Sequence, residues 1–141
     1  MDTTVLFVDD EPVRMAPFVT TLEDAGYKVI MATSAGEAVA LANEHKGEIE
    51  ALIVDIMIPT CLEGDAEVDP RRAGLWALQE IRKIPELARI PAIMLSAVSH
   101  QRVATETNEL GVVTYLEKPM SLARLVEAVA QATAGNPRER C

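Results

Sequence analysis

Ala51-Leu52-Ile53-Val54-Asp55 is an apolar run closed by a carboxylate. A short, near-continuous run rich in branched apolar residues suits a strand buried on both faces, as in a parallel sheet. Val5-Leu6-Phe7-Val8 and Ala92-Ile93-Met94-Leu95 repeat the pattern. Two further segments, Lys28-Val29-Ile30-Met31 and Val112-Val113-Thr114-Tyr115-Leu116, complete a set of five. The Lys28 segment starts polar and is placed nearer an edge.

Amphipathic stretches separate these runs. Residues 12–25 set Val13, Ala16, Phe18, Val19 and Leu22 at roughly helical spacing. Ser34 with Glu37 forms a capping box, and the helix it opens is expected to run to about Lys46 and stop at Gly47. Residues 74–84 repeat the pattern through Leu75, Leu78, Ile81 and Ile84. A helix is expected over 99–110, before Gly111, and another over 121–134, capped by Ser121. Strand then helix, five times over, predicts an α/β fold: a doubly wound parallel sheet covered on both faces. Residues 60–73 break the rhythm and read as a long polar loop after strand three. Residues 1–135 are expected to form one domain, with 136–141 a frayed tail.

The bulk numbers fit one globular domain: 141 residues, 49% apolar and 25% charged. Cys61 and Cys141 make no disulfide framework, and no leader-like or membrane-spanning apolar run occurs, so a cytoplasmic setting without membrane contact is expected. The net charge of −9 disfavours direct nucleic-acid binding.

In a doubly wound sheet, ligands gather at the carboxyl ends of the strands. Those ends carry Asp9-Asp10-Glu11, Asp55, Ser96 and Glu117-Lys118-Pro119. Clustered carboxylates need a cation or must take up protons. A hard divalent ion such as Mg²⁺ suits their oxygens and can also hold phosphate. Lys118 adds fixed positive charge and Ser96 a hydroxyl donor. A carboxylate nucleophile, a metal and cationic stabilisers are the parts phosphoryl transfer uses. Taken alone, Asp9-Asp10 is more often a helix cap, and Lys118 a solvated side chain. The joint placement at different strand ends is what carries the reading.

Over residues 3–134 the chain resembles the receiver domains of two-component response regulators, in the chemotaxis-regulator-like superfamily. The matching pieces are Phe7-Val8-Asp9-Asp10-Glu11-Pro12, Leu52-Ile53-Val54-Asp55-Ile56-Met57-Ile58-Pro59, Met94-Leu95-Ser96-Ala97, Tyr115 and Lys118-Pro119. The resemblance implies a flavodoxin-like (βα)5 fold with strand order 2-1-3-4-5 and an enlarged loop after strand three. It implies Asp55 as phosphoacceptor, with Asp10, Asp55 and the Met57 carbonyl holding Mg²⁺ and Asp9 helping through water. Lys118 and Ser96 would contact the phosphoryl group, and Ser96 and Tyr115 would form the switch. The switch would reshape the surface of the fourth helix, fifth strand and fifth helix. Small Ala97 suits a neighbouring phosphoryl group, and a cis Lys118–Pro119 bond is implied.

Two departures stand out. The glycine usually found four residues after the proline falls at Gly74, so the loop carries about eleven extra residues. Ile58 stands where the family often has Met, which reads as a packing change. Implied partners are a histidine kinase or histidine phosphotransfer protein as donor, and a downstream protein or an output domain outside this chain. A homodimer is left open. An aspartyl phosphatase would want a second Asp two residues after the nucleophile, where Met57 stands, so turnover of small phosphoesters is not expected. The remaining alternative is a degenerate receiver acting as a scaffold, against which the full set of Asp9, Asp10, Asp55, Ser96 and Lys118 argues. His45 and His100 are assigned no role.

Overall fold

The three most apolar runs become the centre of a sheet. In a computed structural model, which describes residues 3–56, 73–96, 110–118 and 121–134, five parallel strands lie in the order β2-β1-β3-β4-β5. They are β1 (Thr3–Val8), β2 (Tyr27–Ala32), β3 (Ile49–Asp55), β4 (Ala92–Ser96) and β5 (Val112–Glu117). Val5–Val8, Ala51–Val54 and Ala92–Leu95 are fully buried, as strands covered on both faces must be. β2 and β5 are the edges and only partly buried, which matches the polar start of the Lys28 segment.

Alternate residues of each central strand feed two cores. Leu6, Val8, Leu52, Val54 and Met94 face one side, under helices α2 (Ala35–Glu44) and α3 (Ala73–Arg82). Val5, Phe7, Ile53, Ile93 and Leu95 face the other, under α1 (Pro12–Asp24) and α4 (Leu122–Ala134), the fifth helix of the sequence-based count. No helix among the described residues is long and apolar enough to cross a membrane.

Local sequence sets the helix ends. α1 starts at Pro12, whose fixed φ suits a first helical turn. Ser34 Oγ accepts the Glu37 N–H at 3.2 Å, while Glu37 Oε1 accepts from the Thr33 N–H at 2.8 Å, one residue before the usual capping-box partner. Ser121 Oγ accepts the Arg124 N–H at 3.1 Å at the start of α4.

The structure corrects four details. Val13 does not face the core: it is 88% exposed. Ala16 is exposed too, and the residues of α1 that pack on the core are Met15, Phe18 and Leu22. Met15 and Leu22 are seven residues apart and share a face, whereas Val13 lies two positions from Met15, on the far side of a helix with a 3.6-residue turn. α2 ends at Glu44, with His45 as its cap. Ala73 is the buried first residue of α3 rather than the last of the loop. α3 ends at Arg82, because Pro85 opens a separate 3-10 turn (Pro85–Leu87) and Ile84 precedes it in an extended conformation.

The expected helix over 99–110, the loop through residue 72 with Met57, Ile58, Pro59 and Cys61, and Ala97, Val98, His100, Pro119 and the tail lie outside the described residues.

Candidate functional site

The parallel arrangement brings the carboxyl ends of β1, β3, β4 and β5 to one rim. Register makes this specific. Val8 pairs with Val54, Asp55 with Leu95, and Ser96 with Glu117. The residues just beyond β1 and β5, Asp9 and Lys118, are tied to neighbouring strands: the Asp9 N–H donates to Ala32 O at 3.0 Å, and the Lys118 N–H to Ser96 O at 2.8 Å.

Asp9, Asp10 and Asp55 meet there. One carboxylate oxygen from each lies within 4.8 Å of the others. Asp9 is fully buried, Asp55 is buried and Asp10 is exposed. Lys118 reaches across them, with Nζ 2.7 Å from Asp9 Oδ2 and 2.6 Å from Asp55 Oδ2. The second oxygen of Asp9, Oδ1, accepts the Glu11 N–H at 2.9 Å. Asp9 is thus held at both oxygens, while Asp10 opens to solvent.

Two opposed effects act on the Lys118 ammonium. Burial lowers its pKa, but hydrogen bonds to Asp55 and Asp9, with their negative charge, outweigh it. The pKa ends above the ordinary lysine value, so the group is a fixed cation at neutral pH.

The donor set fits a hard divalent ion. Mg²⁺ takes oxygen ligands at about 2.1 Å, so opposite ligands stand about 4.2 Å apart. Three carboxylate oxygens within 4.8 Å of one another are close enough to surround one such ion. Asp10 offers the open side, and Asp9 is tied back by Glu11 and Lys118. The Met57 carbonyl, the third ligand implied by resemblance, lies outside the described residues.

Of the other sequence-derived site residues, Ser96 is buried at the end of β4, on the strand beside Asp55. Tyr115 lies on β5 opposite Met94, partly buried against the α2/α3 core. Burial raises its phenol pKa.

Two contributors carry no side-chain signal. One is the Glu11 backbone N–H on Asp9. The other is Gly74, whose N–H donates to Ile56 O at 2.8 Å. The Gly74 backbone lies against the Asp55 carbonyl: a Cβ placed there would stand 1.9 Å from Asp55 O. The Gly74 backbone therefore packs directly on the Asp55–Ile56 peptide.

A doubly wound sheet of order 2-1-3-4-5 with three aspartates and a lysine at its carboxyl rim defines a response-regulator receiver. Residues 5–130 match the family described as response regulator receiver domain, and the chain belongs to it. It is 27% identical to the protein PilH of Pseudomonas aeruginosa over 131 residues, covering 93% of this chain and 98% of that one. Among solved structures, it superposes on the Vibrio cholerae chemotaxis protein CheY4 with a TM-score of 0.78 at 23% identity, covering 94% and 99% of the two chains. It superposes on the receiver domain of the sensor histidine kinase PA1611 from Pseudomonas aeruginosa with a TM-score of 0.75 at 25% identity, covering 96% and 100%. That structure has a magnesium ion coordinated in its active-site cleft.

Proposed function

We propose that Asp55 is a phosphoacceptor and that the protein is a phosphorylation-controlled signalling switch. The observation that carries this is the Lys118 ammonium lying within 2.7 Å of both Asp9 and Asp55, beside Asp10. A nucleophilic carboxylate, its cationic stabiliser and an acidic metal pocket are thereby assembled from three strand ends.

In the proposed step an Asp55 carboxylate oxygen attacks the phosphorus of a phosphohistidine. The P–O bond forms as the P–N bond breaks, and the imidazole leaves with the electron pair. The donor is a histidine kinase or a histidine phosphotransfer protein, which places the exchange in the cytoplasm. Asp10, Asp55 and the Met57 carbonyl would hold Mg²⁺, with Asp9 helping through water. The ion would neutralise charge building on the phosphoryl oxygens. Lys118 holds a further positive charge at the same place, and Ser96 offers a hydroxyl one strand away. The chain catalyses only its own phosphorylation and dephosphorylation in this reading.

Phosphorylation adds about −1.5 to −2 charge. Lys118 and Ser96 are then drawn to the new oxygens, and the loops after β4 and β5 follow. Tyr115 shifts with them and alters the surface around β5, part of the switch surface that the family resemblance implies. A downstream protein, or an output domain outside this chain, reads that surface. This is a two-state equilibrium biased by contacts made in one state.

Beryllofluoride, a phosphoryl mimic, tests the reading. Mg²⁺-dependent binding by the wild type, lost in Asp55→Asn, is the expected result. Binding by neither, with both folded, would favour a phosphorylation-independent scaffold.

A further inference from the structure

We propose that Gly74 is a positioning residue for the acceptor: its bare Cα lets the start of α3 grip the Asp55–Ile56 peptide and so hold the Asp55 carboxylate at Lys118. The inference rests on reading Asp55 as the phosphoacceptor.

The peptide between Asp55 and Ile56 is held from two sides. On one side its N–H, that of Ile56, donates to Leu95 O in β4 at 3.1 Å. On the other, its carbonyl lies against Gly74, and the Gly74 N–H donates onward to Ile56 O at 2.8 Å. A Cβ on Gly74 would stand 1.9 Å from Asp55 O and 2.8 Å from both Asp55 C and Ile56 Cα. All three are backbone atoms, so no rotamer change can relieve the overlap.

Either α3 or the acceptor peptide would have to move. α3 is anchored by Leu75, Leu78 and Ile81, all buried in the core. Its last residue, Arg82, donates to the carbonyls of Leu110, Leu87 and Ile90 at 2.8, 2.8 and 2.6 Å. The acceptor peptide sits at the carboxyl end of β3, where Asp55 is the last residue in register with β4. The peptide is therefore the softer partner, and its displacement carries the carboxylate off its 2.6 Å contact with Lys118. A misplacement of about 1 Å can slow a positioned reaction by about 100-fold. Gly47 offers a contrast, with nothing within 4 Å of its virtual Cβ.

The test compares wild type, Gly74→Ala and Gly47→Ala. Readouts are the rate constant for phosphorylation by acetyl phosphate at saturating Mg²⁺ and donor, beryllofluoride binding, and the unfolding transition. Gly74→Ala should react about 100-fold more slowly in its folded fraction, with amide shifts centred on Asp55 and Ile56, while Gly47→Ala matches wild type. A purely structural role lowers the unfolding midpoint of Gly74→Ala but leaves the rate constant of its folded fraction unchanged; that result overturns the proposal.

Should Gly74→Ala fail to fold, deletion of residues 61–71 keeps Gly74 and places it four residues after Pro59. Retained beryllofluoride binding in the deletion supports positioning by the contact, and its loss in a folded deletion variant overturns it. Failure of the wild type itself to bind beryllofluoride or accept phosphate would instead sink the phosphoacceptor reading.

Discussion

Lys118 and Asp9 are 109 positions apart in the chain, yet Lys118 Nζ lies 2.7 Å from Asp9 Oδ2. Asp9 is fully buried, so the ammonium is a structural counter-ion as well as a candidate ligand for phosphate. Removing one partner of a buried ion pair costs about 3 kcal/mol, because the other charge is left uncompensated. Lys118→Met should lose roughly that much in urea unfolding with chelator present. Added Mg²⁺ should recover part of the loss by binding only the folded state. Equal stability of variant and wild type in chelator would remove the counter-ion role.

Arg82 acts at the opposite end of the sheet. Its guanidinium donates to four backbone carbonyls, of Leu110, Leu87, Ile90 and Gly111, tying the chain before β4 to the chain before β5. Burial lowers its pKa, yet an arginine stays charged throughout the neutral range. Arg82→Met should lower stability by about 2 kcal/mol, the scale of hydrogen bonds from a charged donor. Arg82→Lys should recover only part, since an ammonium cannot reproduce the planar fork. Mg²⁺ affinity should be unchanged in both, as titration of the purified variants would show.

Alkaline pH should weaken the fold through Tyr115. Burial raises its pKa above the usual value of about 10. The folded state therefore keeps its phenol proton more tightly than the unfolded chain. The stability this contributes is complete below about pH 10 and is lost as pH rises from there through the folded-state pKa. Tyrosinate absorbance should show a component titrating above that of a model tyrosine, absent in Tyr115→Phe. If Tyr115→Phe leaves the titration curve unaltered, the burial argument fails.

The lifetime of the proposed phosphoryl group depends on water beside it. The residues two positions after Asp55 and Ser96 are Met57 and Val98, both apolar and unable to orient water. Replacing them with polar groups, as Met57→Asn with Val98→Glu, should speed phosphate loss by at least about tenfold, a modest share of what a positioned acid or base contributes. Phosphate release after removal of the donor measures it. An unchanged lifetime in the double variant counts against the idea.

Much of the fold was legible because its signals are local. Apolar runs such as Ala51–Val54 and Val5–Val8 mark strands covered on both faces whatever surrounds them. Ser34 with Glu37, and Ser121, mark helix starts through bonds that span three residues. Val13 misled for the same reason. Its apolar side chain fits a helical stripe on paper, but the rotation of α1 is set by what lies beneath it, and Met15 takes the inward place. The arginine clamp was invisible, since the carbonyls it binds belong to every residue alike.

By itself the sequence determined which chemical groups are available and at which strand ends they fall: Asp9, Asp10, Asp55, Ser96 and Lys118. Only the tertiary structure decided that Lys118 neutralises Asp9 and Asp55 together, and that Gly74, nineteen positions after Asp55, packs against the Asp55 carbonyl. The physical reason is range. Helix caps and strand burial depend on neighbours a few residues away. A shared ion pair and a backbone contact depend on separations of a few ångströms between atoms that the chain alone leaves far apart.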